Sequence, residues 1–289
     1  MNLKKYIISS LYIPYRVLNR TKSFFLKEKR TRLRVLLFHD IPKDSFKHFR
    51  EKLDYLSKSW NFISPEEFEE YMDGKTNLQG DNILLTFDDG FHSNRVVAEQ
   101  ILNPMGIKAI FFVISQFVAL TEQQEQFKFI KGNLFPKWRG HPLPKRLEEL
   151  KNLSYGDLNF LIETGHSIGS HTATHPNLSK ICKEENLKEE IVNSADILAK
   201  KLGIKINHFS FSFGNVSFFS KKAFEIAVLR FPYIHTGMRG DNSKSFIPWA
   251  IRRDSIDLDD SLILMSSFLE GVADFKYKKG LGIYESWNL

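Results

Sequence analysis

Ile83-Leu84-Leu85-Thr86-Phe87-Asp88-Asp89-Gly90 is an apolar run that ends abruptly on two carboxylates and a glycine. The first five residues read as a strand buried on both faces. Neighbouring residues in a strand point opposite ways, but at a strand tip the backbone leaves that geometry. Gly90 permits the sharp turn, so both acids can serve one site. The apolar run places the pair at the rim of a core rather than on a free surface loop.

The same rhythm repeats on either side. Leu33 to Phe38 and Lys108 to Ile114 read as further buried strands. Between them lie helical patterns at 45–59, from Ser64-Pro65 onward, and at 92–102, Ser64 serving as cap with Pro65 in the first turn. Residues 119–150 break the rhythm. They are polar, carry three prolines, and hold Phe135 and Trp138, which read either as one wall of a sugar groove or as a small apolar cluster. The alternation resumes with helices at 155–164, 183–202, 217–230 and 259–270, and with strands at 167–170, 206–211, 233–236 and, as the last, Ile247 to Arg252. Repeated strand-then-helix order predicts an α/β chain with a mostly parallel sheet and helices outside it. A barrel of that kind carries its chemistry after the C-terminal ends of its strands. His39-Asp40, Asp88-Asp89, His171 with His175, and Phe213-Gly214 all fall there.

His171-Thr172-Ala173-Thr174-His175 puts two imidazoles four residues apart, predicted to share one side of a helical turn and meet one ion. With a carboxylate from the tandem pair this makes a three-ligand set with an open position, the arrangement of a catalytic zinc site. The second carboxylate is left to act as general base.

Thr86-Phe87-Asp88-Asp89-Gly90-Phe91, followed by Gly165-His166-Ser167-Ile168-Gly169-Ser170-His171-Thr172-Ala173-Thr174-His175-Pro176-Asn177-Leu178, resembles the polysaccharide deacetylase family, the NodB-homology domain of carbohydrate esterase family four. The resemblance spans roughly residues 33–257. It implies a distorted (β/α) barrel of seven strands, a divalent metal on Asp89, His171 and His175 (zinc foremost, with cobalt or nickel as alternatives), and Asp88 as catalytic base. Phe209-Ser210-Phe211-Ser212-Phe213-Gly214 occupies the place of the family's aromatic-Gly turn, but Ser212 replaces its proline and Ser210 stands where one branch has an arginine. The Phe213 backbone N–H survives such substitution as an oxyanion donor. Ile251-Arg252-Arg253-Asp254 looks like the late arginine segment of the branch lacking that early arginine, which makes Arg253, then Arg252, the candidate for orienting Asp88. The late histidine that many members use as acid has no counterpart. His39, in Phe38-His39-Asp40, resembles the Tyr-His start of the exopolysaccharide branch and is the proposed proton donor, the alternative being a structural histidine. His166 reads as structural, and His48, His92, His141 and His208 as surface residues or supports of the site.

The expected activity is removal of N-acetyl or O-acetyl groups from a carbohydrate, in surface polysaccharide or glycolipid biosynthesis. Two rivals remain: another amide hydrolase on this scaffold, and a weakly active glycan-binding relic. Composition fits a soluble globular protein, with 42% hydrophobic and 26% charged residues. Cys182, the only cysteine, excludes an internal disulfide and lies in a charged run unsuited to catalysis. The net charge of +7 favours acidic surfaces, but no basic-aromatic motif of a nucleic-acid binder is present. The basic excess gathers early, in residues 1–32 ahead of the barrel at 33–289 and at Arg34 just inside it: Lys4, Lys5, Arg16, Arg20, Lys22, Lys27, Lys29, Arg30, Arg32 and Arg34, interleaved with Leu3, Tyr6, Ile7, Leu11, Tyr15 and Leu18. That segment reads either as a helix packed on the domain or as a basic amphipathic element lying on an anionic membrane. Its apolar run is too short for a membrane span and, broken by Pro14, for a secretory signal. The expectation is a cytoplasmic chain, with peripheral contact at the inner membrane face. Oligomeric state is not legible.

Overall fold

A computed structural model of the chain describes residues 3–26, 31–138, 141–142, 144–243 and 247–287. Lys27, Lys29 and Arg30 of the basic segment lie outside the described residues, as do the side chains of Arg20 and Lys22.

Eight strands form among the described residues: β1 Thr31–Phe38, β2 Asn61–Phe62, β3 Gly80–Phe87, β4 Ala109–Val113, β5 Ser167–Ser170, β6 His208–Ser210, β7 Tyr233–His235 and β8 Asp254–Ser255. Seven lie in the order β7-β6-β5-β4-β3-β1-β8, and β2 pairs beside the first half of β3. Every pairing between these strands is parallel. The two ends of the order approach each other through one stretch of chain. Ile251 bridges His235 of β7, and Asp254, three residues later, pairs with Leu36 of β1. The result is a distorted (β/α) barrel with its helices outside. The last strand was expected at Ile247 to Arg252. That stretch instead takes turn geometry with irregular bonds to β7, such as Ile234 N–H to Pro248 O, and regular pairing starts only at Asp254. Pro248 has no N–H to give to a ladder.

Strand alternation sorts the side chains. In β3, Ile83, Leu85 and Phe87 face the outer helices, and in β4 Ala109, Phe111 and Val113 do the same. The intervening Leu84, Ile110 and Phe112 join Leu33, Val35, Tyr233 and Ile251 in the barrel interior. Continuing the even set of β3 outward from Leu84 gives Thr86 and then Asp88. A period of two therefore aims Asp88 down the inside of the barrel. β1 and β3 are in register from Thr31 opposite Gly80 to Phe38 opposite Phe87, and Asp88 N–H donates to Phe38 O at 2.9 Å. That pairing brings His39 beside the tandem acids.

The expected cap at Ser64 is present as a full capping box with Glu67. The break at 119–150 becomes short helical pieces over a satellite apolar cluster of Phe91, Ile114, Phe117 and Ile130, against which Phe135 and Trp138 both pack. Helices Leu3–Ser10 and Tyr12–Leu26 pack along helix Leu262–Leu269. Lys5 ties the first of them to the loop after β8, at 3.0 Å from Asp257 and 2.6 Å from Asp260.

Candidate active site and metal centre

The tips of β1, β3, β5 and β6, with the approach to β8, surround a cleft of about 570 Å³. His39, Asp88, Asp89, His171, His175, Phe213 and Arg253 all line it, so the structure brings every predicted site residue to one place.

One ligand atom each from Asp89, His171 and His175 lie within 4.8 Å of one another, and all three residues are buried. Asp89 Oδ1 is 3.6 Å from His171 Nε2 and 3.7 Å from His175 Nε2. Tetrahedral ligands at about 2.1 Å from an ion stand roughly 3.4 Å apart, so the spacing suits a small divalent cation. Asp89 Oδ1 is buried without a hydrogen-bond partner, the kind of orphan a cation satisfies. His171 Nδ1 lies 2.8 Å from Ser210 O. Only an N–H can meet a carbonyl there, so Nε2 carries the lone pair that faces Asp89. Burial, opposed by Asp89, lowers the His175 imidazole to about 4, which leaves it neutral and able to ligate at pH 7.

The local backbone differs from the expected helical turn. Residues 171–175 form a loop in which Thr172 and His175 have φ of 70° and 61°. Asp89 and Phe213, with φ of 75° and 62°, complete the set of left-handed non-glycine residues among those described. All four belong to this site, where strained backbone is held by its surroundings. His175 N–H donates to Thr172 Oγ1, Ser115 and Gln116 N–H donate to Thr172 and Ala173 O, and Asn133 Nδ2 donates to Thr174 O. The strongest clamp is Glu190, whose carboxylate accepts from Ala173 N–H, Thr174 N–H and Thr174 Oγ1 at 2.7–3.0 Å. Sequence reading missed Glu190, which looks like one more charged residue of a solvated helix. It lies in the π-turn Glu189–Asn193 that interrupts the helical run between Glu184 and Leu202.

Asp88 is held by Arg253 through two parallel bonds, Nη1 to Oδ1 at 2.7 Å and Nη2 to Oδ2 at 2.8 Å. Arg253 is fully buried and further fixed by Thr236 O on Nε and Ser210 Oγ on Nη2. Ser210, standing where one branch has its arginine, thus receives a guanidinium from elsewhere in the chain. Arg252, the second candidate, points away to Glu285 and Asp241 O. Burial alone raises the Asp88 carboxyl, but Arg253 and then His171 outweigh it and hold it at about 2. Asp88 is therefore ionised throughout the neutral range. Its contribution to stability is complete above the unfolded carboxylate value near 3.9 and is lost as pH falls through about 2. Arg253→Met removes the counter-charge and lets burial drive Asp88 upward. The expected result is a fall of roughly 10²-fold in turnover, the cost of losing fixed catalytic geometry. A new acid limb then enters kcat/KM above pH 4, where wild type has none from this group. A pH–rate profile unchanged in shape contradicts this account of Arg253.

Phe213 N–H meets no acceptor among the described residues, while Gly214 N–H and Asn215 N–H turn back to Phe211 O and Phe213 O. Gly214 is obligatory, since a Cβ there stands 2.4 Å from Gly237 N. His39 lies exposed on the rim. The far wall is apolar and comes from the excursion, with Leu134, Phe135, Leu147 and Leu150, together with the cation Arg146. Phe135 lines the cleft while Trp138 does not. His166 is structural as expected, accepting from Ala109 N–H. His208, expected at the surface or as support, is buried beneath the site, between His235 at 3.1 Å and Glu69 at 3.0 Å.

Residues 75–228 match the family model described as polysaccharide deacetylase. Among solved structures, IcaB from Ammonifex degensii is similar with a TM-score of 0.64 at 23% identity, covering 84% of this chain and 98% of that one. The Streptococcus pyogenes deacetylase PplD in complex with acetate gives 0.62 at 18% identity, over 83% of this chain and 98% of its own. A de-N-acetylase from Aggregatibacter actinomycetemcomitans gives 0.62 at 15% identity, over 82% and 100%. No curated protein matches the chain in sequence.

Proposed function

Because this chain belongs to the polysaccharide deacetylase family, whose members are carbohydrate deacetylases, we propose that it removes N-acetyl groups from a sugar in a metal-dependent hydrolysis, within surface polysaccharide or glycolipid assembly. The observation that carries the reading is the division of the tandem acids. Asp88 is clamped by Arg253, while Asp89 Oδ1, unpartnered, faces two imidazole nitrogens. A relic that only bound a metal has no use for the first carboxylate.

Asp89, His171 and His175 would hold the divalent cation, zinc foremost, which when bound supplies Lewis acidity and acidifies water at neutral pH. Asp88, ionised and fixed by Arg253, accepts the proton of the attacking water. Phe213 N–H donates to the oxyanion of the tetrahedral adduct. His39, on the open rim, delivers a proton to the leaving nitrogen as its bond to the acyl carbon breaks. Acetate and a sugar amine result. Stoichiometric acetate and free amine from N-acetylglucosamine oligomers test the reading. Acetate release from none of a panel of acetylated glycans sends it to the rival amide-hydrolase reading. His39→Ala is expected to lower amide turnover by about 10²–10⁴-fold. Hydrolysis of an aryl acetate, whose leaving group needs no proton, stays nearly intact. Full amide turnover in that variant removes His39 from the mechanism.

A further inference from the structure

The two N-terminal helices have two different faces. Ile8, Tyr12, Tyr15 and Arg16 are part-buried toward the barrel side, Ile8 packing on the main core and Tyr12 and Arg16 lining a cleft with Tyr55 and Trp60. The remaining positions carry Leu3, Tyr6, Ile7, Leu11, Ile13, Val17 and Leu18, with exposures from 38% to 72%. These are seven of the fourteen exposed large apolar side chains among the described residues, gathered in sixteen consecutive positions. Packing on the domain therefore does not account for them, because the packed face is a different one. Apolar side chains exposed singly are ordinary, but seven on two successive helices point to a docking surface.

Charge identifies the occupant. Residues 1–32 contain nine Lys and Arg against Glu28 alone; of the nine, Lys5 is paired with Asp257 and Asp260, and Arg32 is buried in β1 against Asp81 and Glu270. That excess of eight is larger than the +7 of the whole chain, so everything beyond the segment is close to neutral. A basic, apolar-faced element on an otherwise neutral body complements an anionic lipid surface, where apolar side chains enter the headgroup boundary and basic ones meet phosphate. No helix among the described residues is long and apolar enough to cross a membrane. We propose that helices Leu3–Ser10 and Tyr12–Leu26 dock the protein in the interface of an anionic membrane, lying along the bilayer. Lys5 links them to Asp257 and Asp260, in the loop that leaves Ser255 of the cleft, so the docked element is joined directly to the rim of the catalytic face.

The test is co-sedimentation of the full chain with vesicles of phosphatidylcholine, with and without phosphatidylglycerol. Binding is expected only with the anionic lipid, and it should fall steeply between physiological and molar salt as screening shortens from about 8 Å to about 3 Å. Ile7→Ser, Ile13→Ser and Val17→Ser alter exposed positions, so the fold is retained. Each is expected to weaken partition roughly tenfold. Lys27→Glu, Lys29→Glu and Arg30→Glu are expected to weaken it at least fivefold each. Deacetylation of a soluble oligosaccharide stays unchanged in both sets. Absence of vesicle binding, equal binding to neutral vesicles, or a self-association abolished by the serine set without any lipid binding each overturns the proposal.

Discussion

Asp88→Asn is expected to lower deacetylation by about 10³–10⁴-fold while leaving metal affinity unchanged. The size follows from the role, since a positioned general base contributes about 10²–10⁴-fold, and Asp88 has no neighbour able to replace it. Asp89, the nearest carboxylate, is turned by a φ of 75° toward the imidazoles. Asn keeps the shape and one acceptor for Arg253, but its amide N–H₂ then faces guanidinium N–H. Loss of one bond of that buried pair costs on the order of 1–3 kcal/mol of stability. Thermal unfolding must therefore accompany the kinetics, so that lost turnover is not lost fold. Bound metal at the wild-type level with vanishing turnover separates the base from the ligands. Retention of even a tenth of wild-type turnover removes Asp88 from the chemistry.

Chelation is expected to abolish turnover, and stoichiometric zinc, cobalt or nickel to restore it. Asp89→Ala leaves two imidazoles and no carboxylate ligand, since Asp88 is taken up by Arg253, with a loss of more than 10³-fold in both metal affinity and turnover. Metal addition should also stabilise wild type. A ligand at a thousandfold excess over its Kd contributes about 4 kcal/mol, a rise in Tm on the order of 10 °C for a chain of this size. Asp89→Ala should lack that rise, and Asp88→Asn should keep it. Activity indifferent to chelator rules out the mechanism, whatever the fold.

What could be read from the sequence, and what could not, follows from how local each signal is. The tandem acids were legible because an apolar run that stops on Asp88-Asp89-Gly90 must leave both carboxylates at the edge of a core, and alternation along β3 already aims Asp88 inward. The pairing of Asp89 with His171 and His175 was legible through motif order. The shape of the histidine segment was not. Spacing of four suggested a helical turn, whereas the loop brings its rings together through left-handed Thr172 and His175. Glu190 holds that loop from seventeen residues beyond Ala173 and sixteen beyond Thr174. It reaches there from a π-turn, which no hydrophobic periodicity announces. The last strand was misplaced for a similar reason. Ile247 to Arg252 has strand composition, but Pro248 spoils the ladder, and pairing with β1 begins at Asp254. That shift is what leaves Arg253 on the inner face to meet Asp88. Of the two readings of the N-terminal segment, the structure shows packing on the domain, and the apolar side chains it leaves exposed are the ground on which the membrane reading is proposed.

Anomalous diffraction from crystals of the zinc-loaded protein tests the central claim most directly. The expected map has one strong peak per chain, about 2.0–2.2 Å from Asp89, His171 Nε2 and His175 Nε2, with Asp88 still paired to Arg253 and outside bonding distance of the ion. A peak ligated by Asp88 in place of Asp89, or none at these three residues under full loading, contradicts it.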